Sequence, residues 1–169
     1  MVAFSGGKGI RGPQGTGILC GRADLIEAAA AHANPAQMLG RPLKVTKEEI
    51  LGLVTALNMF TEEDEAAEML AYRALAEQVV DALSEVPGLT VTLEHDEFNY
   101  LIPHALIRFR PDRKGPSRNE VVKALEFGET PIILHQLGQP DEFAVDPLNL
   151  TEEETSTVIR RLREELTRQ

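Results

Sequence analysis

The chain of 169 residues has a single cysteine, Cys20, so no disulfide can form within it. A lone thiol fits a reducing compartment, and the cytoplasm is the expected location. Long apolar runs are missing as well: no stretch approaches the ~20 residues needed to cross a bilayer. The opening Met1-Val2-Ala3-Phe4-Ser5-Gly6-Gly7 lacks the charged start and apolar stretch of a secretion signal. Basic residues are outnumbered, and the formal net charge of -10 argues against general attraction to nucleic acid or to an anionic membrane. Acids, in turn, are absent from residues 1–22, which carry Lys8, Arg11 and Arg22. That segment suits an anion, although so short a window also turns basic by chance.

A hydrophobic share of 43% is enough for a core, and the length suits one domain, or one small domain with an appendage. Val2-Ala3-Phe4 reads as a strand ending at glycines, and Thr16 to Gly21 as a second short apolar strand. Leu25 to Ala31 reads as a helix opened by Asp24 and stopped near Asn34-Pro35. Thr46 with Glu49 forms a capping box, after which Ile50, Leu53, Val54, Leu57 and Phe60 recur at helical spacing. Thr61 and Asp64 offer a cap for a separate second helix, but the favoured reading is one long, bent helix from Lys47 to about Glu85. It would bury Ala66, Met69, Leu70, Ala76, Val79 and Leu83, and Pro87-Gly88 would end it.

Beyond Gly88 the period becomes two. Leu89, Val91 and Leu93 alternate with polar residues, and Ala105, Ile107 and Phe109 mark a second strand. Ser117 and Glu120 cap a helix to about Phe127; Thr151 and Glu154 cap the last one. Pro131 to Gln136 is expected as a strand, with Glu142 to Val145 pairing to it across Gly138-Gln139-Pro140-Asp141. The order strand, strand, helix, strand, strand, helix favours an antiparallel sheet covered by helices, an α+β arrangement.

Chemistry concentrates in "FSGGKGIRGPQGTG", where Lys8 stands among glycines. Gly7-Lys8-Gly9-Ile10-Arg11-Gly12 matches G-x-G-x-x-G, but a dinucleotide site needs a helix opening at those glycines, and Gly12-Pro13, Gly15 and Gly17 forbid it. A nucleotide P-loop fails because Gly9, not a hydroxyl residue, follows the lysine. An amine that forms an imine with a carbonyl cofactor fits better, since glycines let a planar ring lie against the backbone. Ser5 could donate to a phosphate, and Arg11 would lower the lysine's proton affinity and help neutralise anions. The residues alone equally allow a tight turn whose lysine only meets solvent.

The stretch "SGGKGIRGPQGTGILCGR" resembles the cofactor-lysine segment of fold-type I pyridoxal phosphate enzymes, in the selenocysteine synthase-like group that includes glucosaminate-phosphate ammonia-lyases. "GRPLKVTKEEILGLVTALNMF" and "ETPIILHQ … FAVDPLNLTEEET" extend the resemblance over nearly the whole chain. It implies an α/β enzyme in which residues 1–45 close the large cofactor-binding domain, 46–86 form a linking helix and 87–169 a small C-terminal α+β domain. Lys8 corresponds to the lysine that binds pyridoxal phosphate, Ser5 to a hydroxyl on its phosphate, and Gly15-Thr16-Gly17 to a turn reaching the partner subunit's cofactor phosphate. The implied activity is α-proton abstraction and β-elimination on an amino acid or amino-sugar acid, by an assembly at least dimeric. Arg11 and His135 are candidates for contact with this small amino substrate; His135 stands near a carboxylate-clamping arginine of the family, and an imidazole lacks that bidentate fork. Alternatives are a non-catalytic interaction module of the same fold and a selenium transferase acting on seryl-transfer RNA. The family's large domain precedes its lysine, so the chain reads as a C-terminal portion. His32, His95 and His104 lack metal-ligand spacing, and no metal is expected.

Overall fold

A computed structural model describes residues 1–96, 98–136 and 139–168. The chain divides into two compact units, Met1–Asp64 and Glu65–Gln169. None of the described helices is long and apolar enough to cross a membrane.

In the first unit, β1 (Val2–Ser5) pairs antiparallel with β2 (Gly17–Cys20), with Val2 opposite Cys20 and Ser5 opposite Gly17. Helix α1 (Ala23–His32) follows, then a 3-10 turn at Arg41–Leu43 and helix α2 (Lys47–Glu62). The expected Thr46–Glu49 capping box opens α2: the Thr46 hydroxyl accepts from the Glu49 N–H, and the Glu49 carboxylate accepts from the Thr46 N–H. Those donors from Thr46 hold the Glu49 carboxyl below the usual carboxylate range. The unit has no apolar core of its own. Only Gly6 and Thr16 are buried, while Phe4, Ile50, Val54 and Phe60 of the expected stripes remain exposed.

The second unit opens with α3 (Glu65–Leu83), so two helices replace the single long one expected across Lys47 to Glu85. Electrostatics explains the break. Glu62, Glu63, Asp64 and Glu65 run consecutively; such charge opposes the negative C-terminal end of α2 but suits the N-terminal end of α3. Glu63 adopts an extended conformation there, with φ -68° and ψ 140°. Tyr72, Ala76, Val79 and Leu83 form the buried stripe of α3, whereas Ala66 and Leu70, expected inside, are exposed.

Strands β3 (Leu89–Glu94), β4 (His104–Phe109) and β5 (Glu142–Val145) form one antiparallel sheet in that order. Helices α4 (Arg118–Glu126) and α5 (Glu152–Leu166) begin at the two remaining capping boxes, as the sequence predicts. Val79, Leu83, Ile107, Val121, Leu125, Phe143 and Leu162 meet in one core between helices and sheet. The buried carboxylate of Glu142 is answered across the sheet by Arg108, whose Nη2 lies 2.7 Å from Oε2. Mixed helices and antiparallel sheet make this unit α+β.

One strand differs from expectation. Residues 131–136 do not form a strand; they contribute only a bridge between His135 and Ala144. Pro131 has no N–H to give a ladder, and the Ile132 N–H turns back to the Leu125 carbonyl of α4 at 3.0 Å. The partner of β5 is therefore β4. Of the turn expected between the two segments, Gly138 lies outside the described residues.

Candidate functional site

The loop between β1 and β2 is drawn tight by its own backbone. Gly6 donates to the Thr16 carbonyl at 3.0 Å, Gly12 to the Gly6 carbonyl at 2.8 Å, and Arg11 to the Lys8 carbonyl at 2.7 Å. Helix α2 lies against this loop so closely that side chains would not fit. A Cβ on Gly6 would collide with Thr16 and Leu53, one on Gly15 would stand 2.6 Å from the Glu49 carboxylate, and one on Gly52 would stand 2.8 Å from the Pro13 ring. These glycines are needed for close approach rather than for unusual backbone angles.

Lys8 emerges from that packing. Its residue is exposed, and a Cβ at the adjoining Gly9 would meet nothing within 4 Å. Bare backbone thus borders the amine on one side. Ser5, three residues earlier, accepts the Gly7 N–H on its Oγ at 3.2 Å, which leaves its own hydroxyl proton to donate elsewhere. Thr16 is buried, and its hydroxyl donates to the Pro13 carbonyl at 2.6 Å, fastening the turn from within. Arg11 sits at φ 59°, the left-handed region that disfavours a side chain. Its guanidinium reaches Glu63 at the end of α2, with Nη1 3.1 Å from Oε1. Lys8, Arg11 and Thr16 thus belong to one loop, braced by one helix, and Ser5 ends the strand that leads into it.

Close approach gives the loop a simple test. Gly6→Ala must push Thr16 or Leu53 aside, an overpacking cost of about 1–3 kcal/mol. Trypsin should then cut faster after Lys8 and Arg11, whereas Gly9→Ala should leave the cleavage rate unchanged. Equal rates for the two variants would contradict the packing described.

His135 belongs to the second unit, where it lines a cleft of about 590 Å³ together with Ile133, Asp146, Leu150, Glu153 and Val158. It is exposed, and its ring centroid lies 5.6 Å from that of His104. His104 is buried at the start of β4, and its Nε2 is 3.6 Å from Asp146 Oδ2. Burial pulls the His104 pKa down, but the Asp146 carboxylate and the Ile102 carbonyl outweigh it and leave the value raised. The neighbouring His104 ring is the main reason that the Asp146 carboxyl lies below its usual range. Sequence reading assigned His104 no role, and it passed over Asp146. Their separation along the chain carries no motif. Only the register of β4 on β5 joins them: Ala105 pairs with Val145, so the next position sets His104 opposite Asp146.

No protein-family model matches the sequence. Among curated proteins, the chain is 32% identical over 171 residues to the 5'-C-glycyluridine monooxygenase-decarboxylase of a Streptomyces species, covering 97% of this chain and 40% of that protein. It is 31% identical over 166 residues to the D-glucosaminate-6-phosphate ammonia lyase of Salmonella typhimurium, covering 97% of this chain and 42% of that protein. It is 26% identical over 190 residues to the L-seryl-tRNA(Sec) selenium transferase of Desulfovibrio desulfuricans, covering 98% of this chain and 38% of that protein. The chain spans about two fifths of the length of these relatives. A solved structure of D-glucosaminate-6-phosphate ammonia-lyase superposes with a TM-score of 0.75 at 28% identity, over 97% of this chain and 42% of that one. Over nearly its whole length, then, the chain is similar in sequence to three enzymes and in fold to an ammonia lyase.

Proposed function

We propose that the chain is the C-terminal part of a fold-type I, pyridoxal phosphate-dependent lyase acting on an amino acid or amino-sugar acid. The observation that carries this reading is Lys8: an exposed primary amine on a loop closed by glycine packing, in a chain similar to an ammonia lyase. The residues fit the cofactor. Bare backbone at Gly9 suits a flat ring beside the amine, and the free hydroxyl proton of Ser5 suits a phosphate oxygen. Lys8 would hold the cofactor through Nζ and Ser5 would donate to its phosphate. The Thr16 hydroxyl and backbone N–H both already donate to the Pro13 carbonyl, so the Gly15-Thr16-Gly17 turn would meet a phosphate, in its own or a partner subunit, through the N–H of Gly15 rather than through Thr16.

Bound pyridoxal phosphate supplies an electron sink for negative charge developing at the α carbon of an amino substrate. Lys8 Nζ would be the general base that takes the α proton of the substrate. The same nitrogen, then protonated, would return a proton to the departing β substituent. Arg11, oriented by Glu63, is proposed to meet the acidic end of the substrate; His135, in the second unit, is a separate candidate for substrate contact. The assembly would be at least a dimer, in the cytoplasm, without nucleic acid or membrane as partners.

Elimination predicts that ammonia and a 2-keto acid appear in equal amounts when the intact parent protein is supplied with pyridoxal phosphate and amino acids or amino-sugar acids with a β-hydroxyl. Formation of a β-substituted amino acid with no ammonia would instead establish replacement chemistry and overturn the lyase reading.

A further inference from the structure

His104, His135 and Asp146 form a cluster in the second unit, of which the proposed lysine chemistry uses only His135, as a candidate substrate contact. His104 is 5% exposed, and its Nδ1 lies 2.7 Å from the Ile102 carbonyl oxygen. A carbonyl only accepts, so Nδ1 carries the proton and Nε2 of the neutral ring presents a lone pair. That Nε2 is buried with no hydrogen-bond partner among the described residues. It faces Asp146 Oδ2 at 3.6 Å. Two electron-rich atoms facing each other repel, and Nε2, unlike the partly exposed Asp146 carboxylate, has no access to water, so a positive charge between them is favourable.

A proton or a metal ion could supply that charge; the 3.6 Å spacing accommodates either, and the third donor favours the metal. A charge-assisted N–H···O bond closes to about 2.7–2.9 Å. A metal with bonds of about 2.0–2.2 Å at tetrahedral angles holds its donor atoms about 3.3 Å apart, close to the spacing of His104 and Asp146. His135 provides a third donor: one ligand atom from each of the three residues lies within 4.8 Å of the others. No other group of three histidine, cysteine or acidic residues meets that condition among the described residues. The longer separations close by rotation of the exposed His135 ring, whose backbone is already pinned to Ala144.

The surroundings also suit a metal site. The Ile102 carbonyl fixes the His104 tautomer, the outer contact that metal-bound imidazoles ordinarily make. Tyr100 packs edge-on against the same ring, with centroids 5.5 Å apart, and limits its rotation. Asp146 and His135 line the cleft beside α5, so coordination positions not filled by protein open towards it.

We infer that His104, His135 and Asp146 bind a divalent transition-metal ion of the zinc type, with a remaining position open to water or to an anionic oxygen ligand in the cleft. Two nitrogens and one oxygen form a donor set suited to zinc, and three protein ligands leave it an open place.

The test uses the tag-free chain, stripped with chelator, without pyridoxal phosphate. Zn2+ is titrated calorimetrically, and Co2+ is followed by its visible ligand-field absorption. One ion per chain is expected, with a Kd of about 1 μM or tighter. His135→Ala, exposed and outside the core, and Asp146→Asn should each weaken binding by at least about ten-fold and lower the Co2+ absorption. His95→Ala should change neither. Binding weaker than about 1 μM by the parent chain, or loss of less than about ten-fold in either variant, overturns the assignment. Such failure leaves the lysine reading untouched, because Lys8 is assayed by its own covalent chemistry.

Discussion

Lys8→Ala lowers the rate of ammonia release by about 10³-fold or more in a preparation that carries the activity, without disturbing the loop around it. The magnitude follows from the proposed role of Lys8 as a positioned general base, worth about 10² to 10⁴ in rate, and as the proposed covalent hold on the cofactor. The loop survives because its shape does not rest on the lysine side chain. Gly6, Gly12 and Arg11 close it through backbone bonds, and the Lys8 carbonyl still accepts from Arg11 after truncation. Far-UV circular dichroism should therefore be unchanged. Lys8→Arg should be equally inactive, since a guanidinium neither yields its proton near neutral pH nor condenses with an aldehyde. Activity within about ten-fold of the parent in either variant would remove Lys8 from the chemistry.

The largest effect on stability is expected at Phe143. Its side chain is fully buried on β5 and meets Phe109 edge-on, with ring centroids 5.6 Å apart. Phe143→Ala removes that contact and leaves a cavity between sheet and helices, a loss of about 3–5 kcal/mol. Against a usual total of about 5–15 kcal/mol, this brings the second unit near its unfolding midpoint. Urea denaturation followed by circular dichroism measures it. The effect should spread beyond the core, because β5 also carries Ala144, to which His135 is bridged, and leads into Asp146. A loss below about 1 kcal/mol would mean that Phe143 is not part of a close-packed interior.

What the sequence revealed depended on how far the determining contacts reach. The three capping boxes join residues three apart, and Thr46, Ser117 and Thr151 each open a helix where expected. Alternation of Leu89, Val91 and Leu93 likewise foretold β3, because one face of a strand writes itself into every second residue. The Lys8 loop was legible from its glycines, although their reason was only half visible. Gly52, in the middle of a helix, makes sense once Pro13 is seen against it.

Longer-range features escaped. The break at Glu63 depends on the summed charge of four acids and on Arg11, 52 positions away. An apolar run at 131–136 looks like a strand, yet Pro131 and the pull of the Leu125 carbonyl turn it aside. Helical stripes on α2 predicted burial, but periodicity reports only a face, not whether anything covers it. His104 and Asp146 were invisible because strand register, which no local pattern records, sets them opposite each other.

Borohydride reduction of the intact parent protein in the presence of pyridoxal phosphate, followed by peptide mass mapping, tests the central claim most directly. Attachment of the reduced cofactor to Lys8, and its disappearance in Lys8→Ala, is the result expected. A modified residue elsewhere in the chain, or no attachment at all, would contradict it.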